Sequence, residues 1–166
     1  MSDSAPTSLS LVFSPEEDRL VLLLGSRPTG LLLTRRLTGR LVNGLASVLE
    51  QSSLPARSAP TDLRDSIISM EHQGATTAPP GAAPAPVPLE QGLALHLVTT
   101  VNIAVQPSHF ALTINATGMA PLPLSLSRGD LHRLIELFTR QADLAGWNLP
   151  IDAAWLTADT ALLTIN

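Results

Sequence analysis

The chain has 166 residues, enough to bury a sizeable core, and we expect a single domain over residues 1–166. Hydrophobic residues make up 45% and charged residues only 14%, which predicts that part of the apolar surface meets a partner. The net charge of -4 does not favour a general binder of nucleic acids or membranes, and the lack of cysteine excludes disulfides, thiolate nucleophiles and iron-sulfur ligation.

The first residues, MSDSAPTSLS, carry no basic region ahead of an apolar run, so we expect no secretory signal. The sequence contains no run of about 18 consecutive apolar residues, which is the length needed to span a bilayer. These features predict a cytoplasmic location. All basic residues are arginine, which is typical of a GC-rich bacterial genome.

Residues 8–51 predict three strands followed by a helix. Apolar residues alternate over Leu9–Phe13, SPEED supplies a turn, and LVLLLG at residues 20–25 is a short apolar run typical of a buried strand. SRPTG predicts a second turn, after which residues 31–33 form the third strand. Thr34 is the expected N-cap of a helix that runs to about Gln51.

Residues 52–91 are predicted to be a flexible linker because they are rich in Ser, Ala and Pro. Within this linker, residues 61–73 predict a short amphipathic helix. Leu63, Ile67 and Met70 fall on one face of that helix. The face could dock on the domain itself, or it could be presented to a partner protein.

Residues 92–166 predict a second half and a C-terminal tail. Alternating apolar residues indicate strands at residues 93–105, 110–114 and 124–126, and Ser127 is a second expected N-cap. The following helix should end near Gly146. The closing run ALLTI could form one more strand.

The two halves are similar in sequence. Placing Gly25 on Gly118 also aligns residues of the second turn, the third strand and the helix, without a gap. The aligned pairs include Pro28 with Pro121, Leu31 with Leu124, Thr34 with Ser127, Arg35 with Arg128 and Arg40 with Arg133. We call this alignment the repeat register, and it indicates duplication of one strand-turn-strand-helix unit.

The predicted fold is therefore α+β. Two pseudo-symmetric antiparallel strand-turn-strand-helix repeats, at about residues 8–51 and 97–146, pack into one domain around a pseudo-twofold axis. The Pro/Ala-rich linker with its short helix joins them. The main alternative is a β-sandwich with two helices.

The sequence offers no constellation typical of an active site. Its histidines show no spacing that suits a metal, and the neighbouring Ser127, Asp130 and His132 do not form a triad, because residues two apart on a helix point in different directions. GSRPTG lacks the glycine spacing of a phosphate-binding loop. We expect no catalytic, cofactor-binding or metal-binding residues, no cofactor, and no enzymatic activity. The four histidines are His72, His96, His109 and His132.

One local charge feature points to binding. Every charged residue between Arg19 and Leu49 is an arginine, and two of them, Arg35 and Arg36, lie in the first turn of a helix, where the dipole disfavours cations. These arginines could be solvated, could pair with acidic residues of the chain, or could bind an acidic protein or a nucleic acid. The candidate partner-binding residues are Arg27, Arg35, Arg36, Arg40, Leu63, Ile67 and Met70.

The leading interpretation is a non-catalytic protein-interaction module, a bacterial adaptor or an assembly or chaperone-like subunit that binds another protein. One alternative is a nucleic-acid-associated factor that uses the arginine-rich face of residues 19–40. Another is a small-molecule carrier with a pocket between the halves. Open strand edges also make a homodimer plausible.

Overall fold

The computed structural model describes residues 8–25, 27–77 and 92–157. Strands and helices follow each other in the predicted order, with two additional short helices. The elements are β1 (Leu9–Ser14), β2 (Arg19–Leu24), β3 (Thr29–Leu33), α1 (Arg35–Ser52), α2 (Leu54–Ser58), α3 (Thr61–Thr76), β4 (Ala94–Val105), β5 (Phe110–Ala116), β6 (Leu122–Leu126), α4 (Arg128–Leu144) and α5 (Ala154–Thr157).

The strands form one mixed sheet in the order β1-β2-β3-β4-β5-β6. Neighbours are antiparallel within each half, whereas β3 and β4 are parallel. Parallel neighbours need a long crossover connection, and residues 34–93, which contain α1, α2 and α3, provide it. The α+β prediction is confirmed, and the sandwich alternative is wrong because both halves contribute to a single sheet.

The predicted twofold relation between the halves is also wrong. A twofold axis perpendicular to the sheet would make the strands at the junction antiparallel and would reverse the strand order of the second half. Instead β3 pairs in parallel with β4, and both halves run across the sheet in the same direction. The long crossover explains the difference, since it returns the chain to the end of the sheet at which β3 began.

Both faces of β2 are buried, which explains its unbroken apolar sequence. On one face, Leu20, Leu22 and Leu24 belong to the main core, which extends to the helices. On the other face, Val21 and Leu23 form a smaller apolar cluster. That cluster also contains Leu32, with Leu93 and Leu97 packed against it.

Hydroxyl side chains start both long helices, as predicted. The Leu37 N–H donates to Thr34 Oγ1 at 3.2 Å, and the Asp130 N–H donates to Ser127 Oγ at 3.1 Å. Ser127 and Asp130 form a full capping box. Gly146 follows α4 with a φ of 71°, a conformation that glycine adopts without strain.

The predicted linker is more ordered than its composition indicated. Ser53 caps α2 through the Ala56 N–H, and α3 packs against α4. Residues 54–76 form α2 and α3 instead of a flexible spacer, and α3 covers Thr61–Thr76 where the sequence predicts a short helix over residues 61–73. Residues 78–91, which contain most of the Pro/Ala tract, and residues 158–166, which contain the proposed final strand, lie outside the described residues.

The interior between the two halves is closely packed. A cavity lined by Leu22 and Leu33 of the first half and by Val98, Leu112 and Phe138 of the second has a volume of only about 10 Å³. This is about the space of a single water, so the cavity has no room for an organic ligand.

Within residues 8–25, 27–77 and 92–157, no helix has both the length and the apolarity needed to cross a membrane.

Candidate functional site

Three of the predicted arginines come together on the outer face of α1. Arg35, Arg36 and Arg40 are exposed, and they line an open groove of about 450 Å³, which we call the arginine groove. Arg36 and Arg40 are four residues apart and lie on one side of the helix, and Arg35 precedes them at its N-terminus, whereas residues such as Leu41 and Leu45 form the buried face. The other residues that line the groove are Gly39, Asn43, Asn148, Leu149 and Pro150.

The second wall of the groove comes from the chain that follows α4, and Asn43 holds it in place. Asn43 Nδ2 donates to the Pro150 carbonyl at 2.8 Å, and the Asp152 N–H donates to Asn43 Oδ1 at 3.0 Å. A Cβ added at Gly39 would lie 3.8 Å from Leu149 and 3.9 Å from Pro150, so the two walls are in close contact. This wall could not be predicted from the sequence, because Asn43 and Pro150 are far apart along the chain.

The arginines of this groove have no ion-pair partner in the part of the chain that the structure describes. The acidic turn does not reach them, since Glu17 pairs with Arg19 at 3.3 Å and Asp18 accepts a hydrogen bond from Trp147. Arg27 is exposed in the turn before β3 and does not line the groove. The predicted candidate set is therefore divided, and only its helical arginines share one surface.

A charge change at the start of α1 should show how much stability the protein loses by having an arginine at the N-terminus of this helix. We expect Arg35→Glu to raise the free energy of unfolding by about 1 kcal/mol, because a carboxylate is favoured where a guanidinium is disfavoured at a helix N-terminus. The expected rise in melting temperature is about 2–4 °C. Thermal unfolding of the variant checks this, with Arg57→Glu as control, since Arg57 is an exposed arginine in the last turn of α2. A fall in the melting temperature of Arg35→Glu would contradict the prediction.

The predicted apolar stripe on α3 is not the face that docks. The helix is anchored by Ile68 and His72, which are buried, whereas Met70 is 70% exposed and Leu63 is 49% exposed. Ile67 is half-buried against the core. Leu63 and Met70 therefore remain available on the surface, and the structure does not join them to the arginine groove.

A polar cluster that the sequence did not predict holds α3 against α4. Arg128 Nη2 donates to Glu71 Oε2 at 2.6 Å, and its Nη1 donates to Ser52 Oγ at 2.8 Å. Glu71 also accepts a hydrogen bond from Ser53 at 2.7 Å. Burial alone would raise the pKa of Glu71, but the hydrogen bonds from Ser53 and Arg128 and the charge of Arg128 outweigh it and hold that pKa below its usual value.

Two buried imidazoles complete this cluster. His72 Nδ1 and His132 Nδ1 lie 3.2 Å apart, and His72 Nε2 lies 3.3 Å from Glu136 Oε2. Since a carboxylate only accepts, we assign the His72 Nε2–H as the donor to Glu136, which leaves the His132 Nδ1–H to donate to His72 Nδ1. His132 Nε2 is then a buried acceptor to which no group donates a hydrogen bond. It lies 3.7 Å from Glu71 Oε2. Burial, with smaller effects from His72 and Arg128, lowers the pKa of His132 to about 4.

The residues of the polar cluster come from several elements. The sequence could have predicted their contact only if the packing of α3 against α4, each of which carries a histidine, had been known. Within the described ranges, no group of three or more His, Asp or Glu side chains is arranged to hold a metal ion.

Comparison of the chain with protein-family models, with curated proteins and with solved structures finds no match.

Proposed function

We propose that this protein is a non-catalytic interaction module that binds an acidic helical segment of another protein in the arginine groove. The observation that carries the proposal is the set of three exposed arginines, without an ion-pair partner among the described residues, along one open groove. An arginine cluster favours carboxylate partners because each guanidinium can bind a carboxylate through two parallel hydrogen bonds.

The chain contains its own example of such binding. In the repeat register, Arg35 and Arg40 correspond to Arg128 and Arg133 of α4. Arg128 pairs with Glu71 of α3, and Arg133 Nε donates to the Ala75 carbonyl near the end of α3 at 3.0 Å. On α4, therefore, the two arginine positions hold a helix with an acidic residue. The same positions on α1 line a groove, which supports an acidic helix from another protein as the ligand.

The remaining lining of the groove suits an amphipathic helix. Leu149 and Pro150 offer apolar contacts beside the arginines, while Asn43 keeps their backbone in place. A helix with glutamates on one side and leucines on the next would meet both kinds of surface. The exposed Leu63 and Met70 on α3 could add a second contact for a larger partner.

Nucleic acid is the second candidate for the same arginines. The groove contains no lysine and no aromatic residue on which a base could stack, and Trp147 and Trp155 are buried. These features favour a protein over a single strand. The carrier alternative has less support, because the cavity between the halves has a volume of only about 10 Å³.

We further propose that the two halves descend from a duplicated unit. Each half contains three strands followed by a helix with a hydroxyl N-cap, and the caps occupy equivalent places in the repeat register. In this view, the second copy uses its helix arginines to bind α3 and the first keeps its arginines for the partner. An adaptor or chaperone-like subunit in a bacterial cytoplasm is the function that this arrangement suits best.

A binding experiment tests the proposal. The probe is a fluorescein-labelled helical peptide with glutamates at i and i+4 and leucines on the adjacent face, measured by fluorescence anisotropy. We expect Arg35→Glu/Arg36→Glu to weaken binding by at least about tenfold, because each change loses an ion pair and adds a like charge. Arg57→Glu, an exposed helical arginine away from the groove, should change the affinity less than about twofold.

The competing outcomes are distinct. If the double variant and the wild type bind the peptide equally, or if neither binds, the proposed function is wrong. An oligo-dT strand serves as the second probe. Binding of oligo-dT alone, with an affinity that falls steeply as salt is raised, would assign the arginine groove to nucleic acid instead.

A further inference from the structure

The middle of the sheet contains an open strand edge. β4 has 12 residues, but only Ala94–Leu97 pair with β3. β3 ends at Leu33 and the chain turns into α1, so β4 continues past it. In the described part of the chain, the segment Thr99–Val105 therefore lies beside β5 alone, with Thr100–Val105 in register and a register shift between Val98 and Thr100. We call this segment the open edge, and alternate residues along it direct N–H and C=O groups away from β5.

Apart from the register shift at its start, this edge lacks the features that usually prevent strand pairing. Its sequence, TTVNIAV, contains no charge and no proline and consists mostly of β-branched residues. The outer strand β6, in contrast, has Pro121 just before it and Pro123 within it. Side chains along the open edge are also accessible, since Val105 is 55% exposed and Asn102 is exposed. The edge is therefore suited to pair with another strand.

We infer that the open edge pairs antiparallel with the same edge of a second copy of this chain, around a twofold axis at Asn102. This pairing places Val101 opposite Ile103 of the second copy and Thr100 opposite Ala104 of the second copy. The first pair joins two β-branched residues, and the absence of charge means that no like charges meet at the axis. The two sheets become one continuous sheet through the dimer.

The length of the edge fits this arrangement. One end is closed where β3 leaves the sheet beside Val98, and the other end is the turn at residues 106–109. With the axis at Asn102, Val105 of the second copy lies opposite Thr99 and its turn comes where β3 ends, so each chain fills the gap left by the other. The pairing forms about six backbone hydrogen bonds over a small interface, which predicts a dissociation constant on the order of 10 µM.

Analytical ultracentrifugation across that concentration range tests the inference on the full chain. We expect a reversible monomer-dimer equilibrium that Asn102→Lys weakens at least about tenfold, since two lysines would lie opposite each other at the axis. Ser125→Lys is the matched control, because Ser125 is an exposed residue of β6, away from the open edge. Circular dichroism of each variant confirms that the monomer still folds.

A second measurement locates the axis. The chain has no cysteine, so Asn102→Cys introduces a single thiol that a short bis-maleimide should cross-link into a dimer, whereas Ser125→Cys should remain monomeric. A monomer at about 100 µM, or a dimer that Asn102→Lys leaves intact, would overturn the inference. The same holds if Asn102→Cys and Ser125→Cys cross-link equally. None of these readouts involves the arginine groove, so failure here is independent of the proposed function.

Discussion

Trp155→Ala is expected to lower the free energy of unfolding by about 3–5 kcal/mol, a large part of the total stability of a typical domain. Trp155 is only 1% exposed, and its ring centroid lies 5.2 Å from that of His72 and 5.9 Å from that of His132. Its Nε1 donates to Glu50 at 2.7 Å. One side chain thus connects α5, α1, α3 and α4, and its removal leaves a cavity where these helices meet.

Urea unfolding measures this loss, with Trp147 as the remaining fluorescent probe, since the chain has two tryptophans. Trp155→Phe is the matched variant, because it keeps an aromatic ring and removes the hydrogen bond to Glu50. We expect it to cost about 1–2 kcal/mol. A loss below about 1 kcal/mol for Trp155→Ala would show that residues 153–157 are not part of the core in solution.

Local signals in the sequence were sufficient to predict most of the secondary structure. The alternation of apolar residues predicted β1, and the hydroxyl N-caps at Thr34 and Ser127 predicted the starts of both long helices. These signals arise from neighbours a few residues apart. The parallel pairing of β3 with β4 has no such signal, because it depends on where the crossover returns the chain, and the predicted twofold axis was wrong for that reason.

The candidate site could also be predicted only where neighbouring residues determine it. The sequence grouped Arg35, Arg36 and Arg40 in one arginine-rich segment, and the structure places them along one groove. The opposite wall and the anchor of α3 depend on contacts between distant residues, which spacing cannot reveal. Apolar periodicity singled out Leu63 and Met70, which stay exposed, while the docked face uses Ile68 together with the polar His72, which periodicity did not indicate.

His132, one of the two buried histidines, should make stability depend on pH. We expect the free energy of unfolding to fall by about 3 kcal/mol as the pH is lowered from 7 to 4. In the folded state, burial lowers the pKa of His132 from its ordinary value of 6.5 to about 4, whereas the unfolded chain takes up this proton near pH 6.5. Between these values the unfolded state binds more protons, so stability is full above pH 6.5 and decreases towards pH 4.

Carboxylates around the pair add to this loss at lower pH. The hydrogen bond from His72 lowers the pKa of Glu136, and the pKa of Glu71 is also lowered. Their contribution is present above the ordinary carboxyl range near pH 4.5 and is lost as the pH falls through their lower folded values. The histidine effect is therefore the one to measure between pH 5 and pH 7, where these carboxylates stay ionised in both states.

Urea midpoints at pH 7 and pH 5 give the size of the effect, and His132→Asn separates the titration from the packing. The amide nitrogen of asparagine can replace Nδ1 as the donor to His72, so the variant loses stability at both pH values but should lose most of the difference between them. His109→Asn, in the turn after β4, should keep the full difference. If the stability of the wild type and of His132→Asn depended equally on pH, a group other than His132 would control the pH dependence. Because His132 of α4 contacts His72 of α3, its protonation is expected to weaken the contact between these helices.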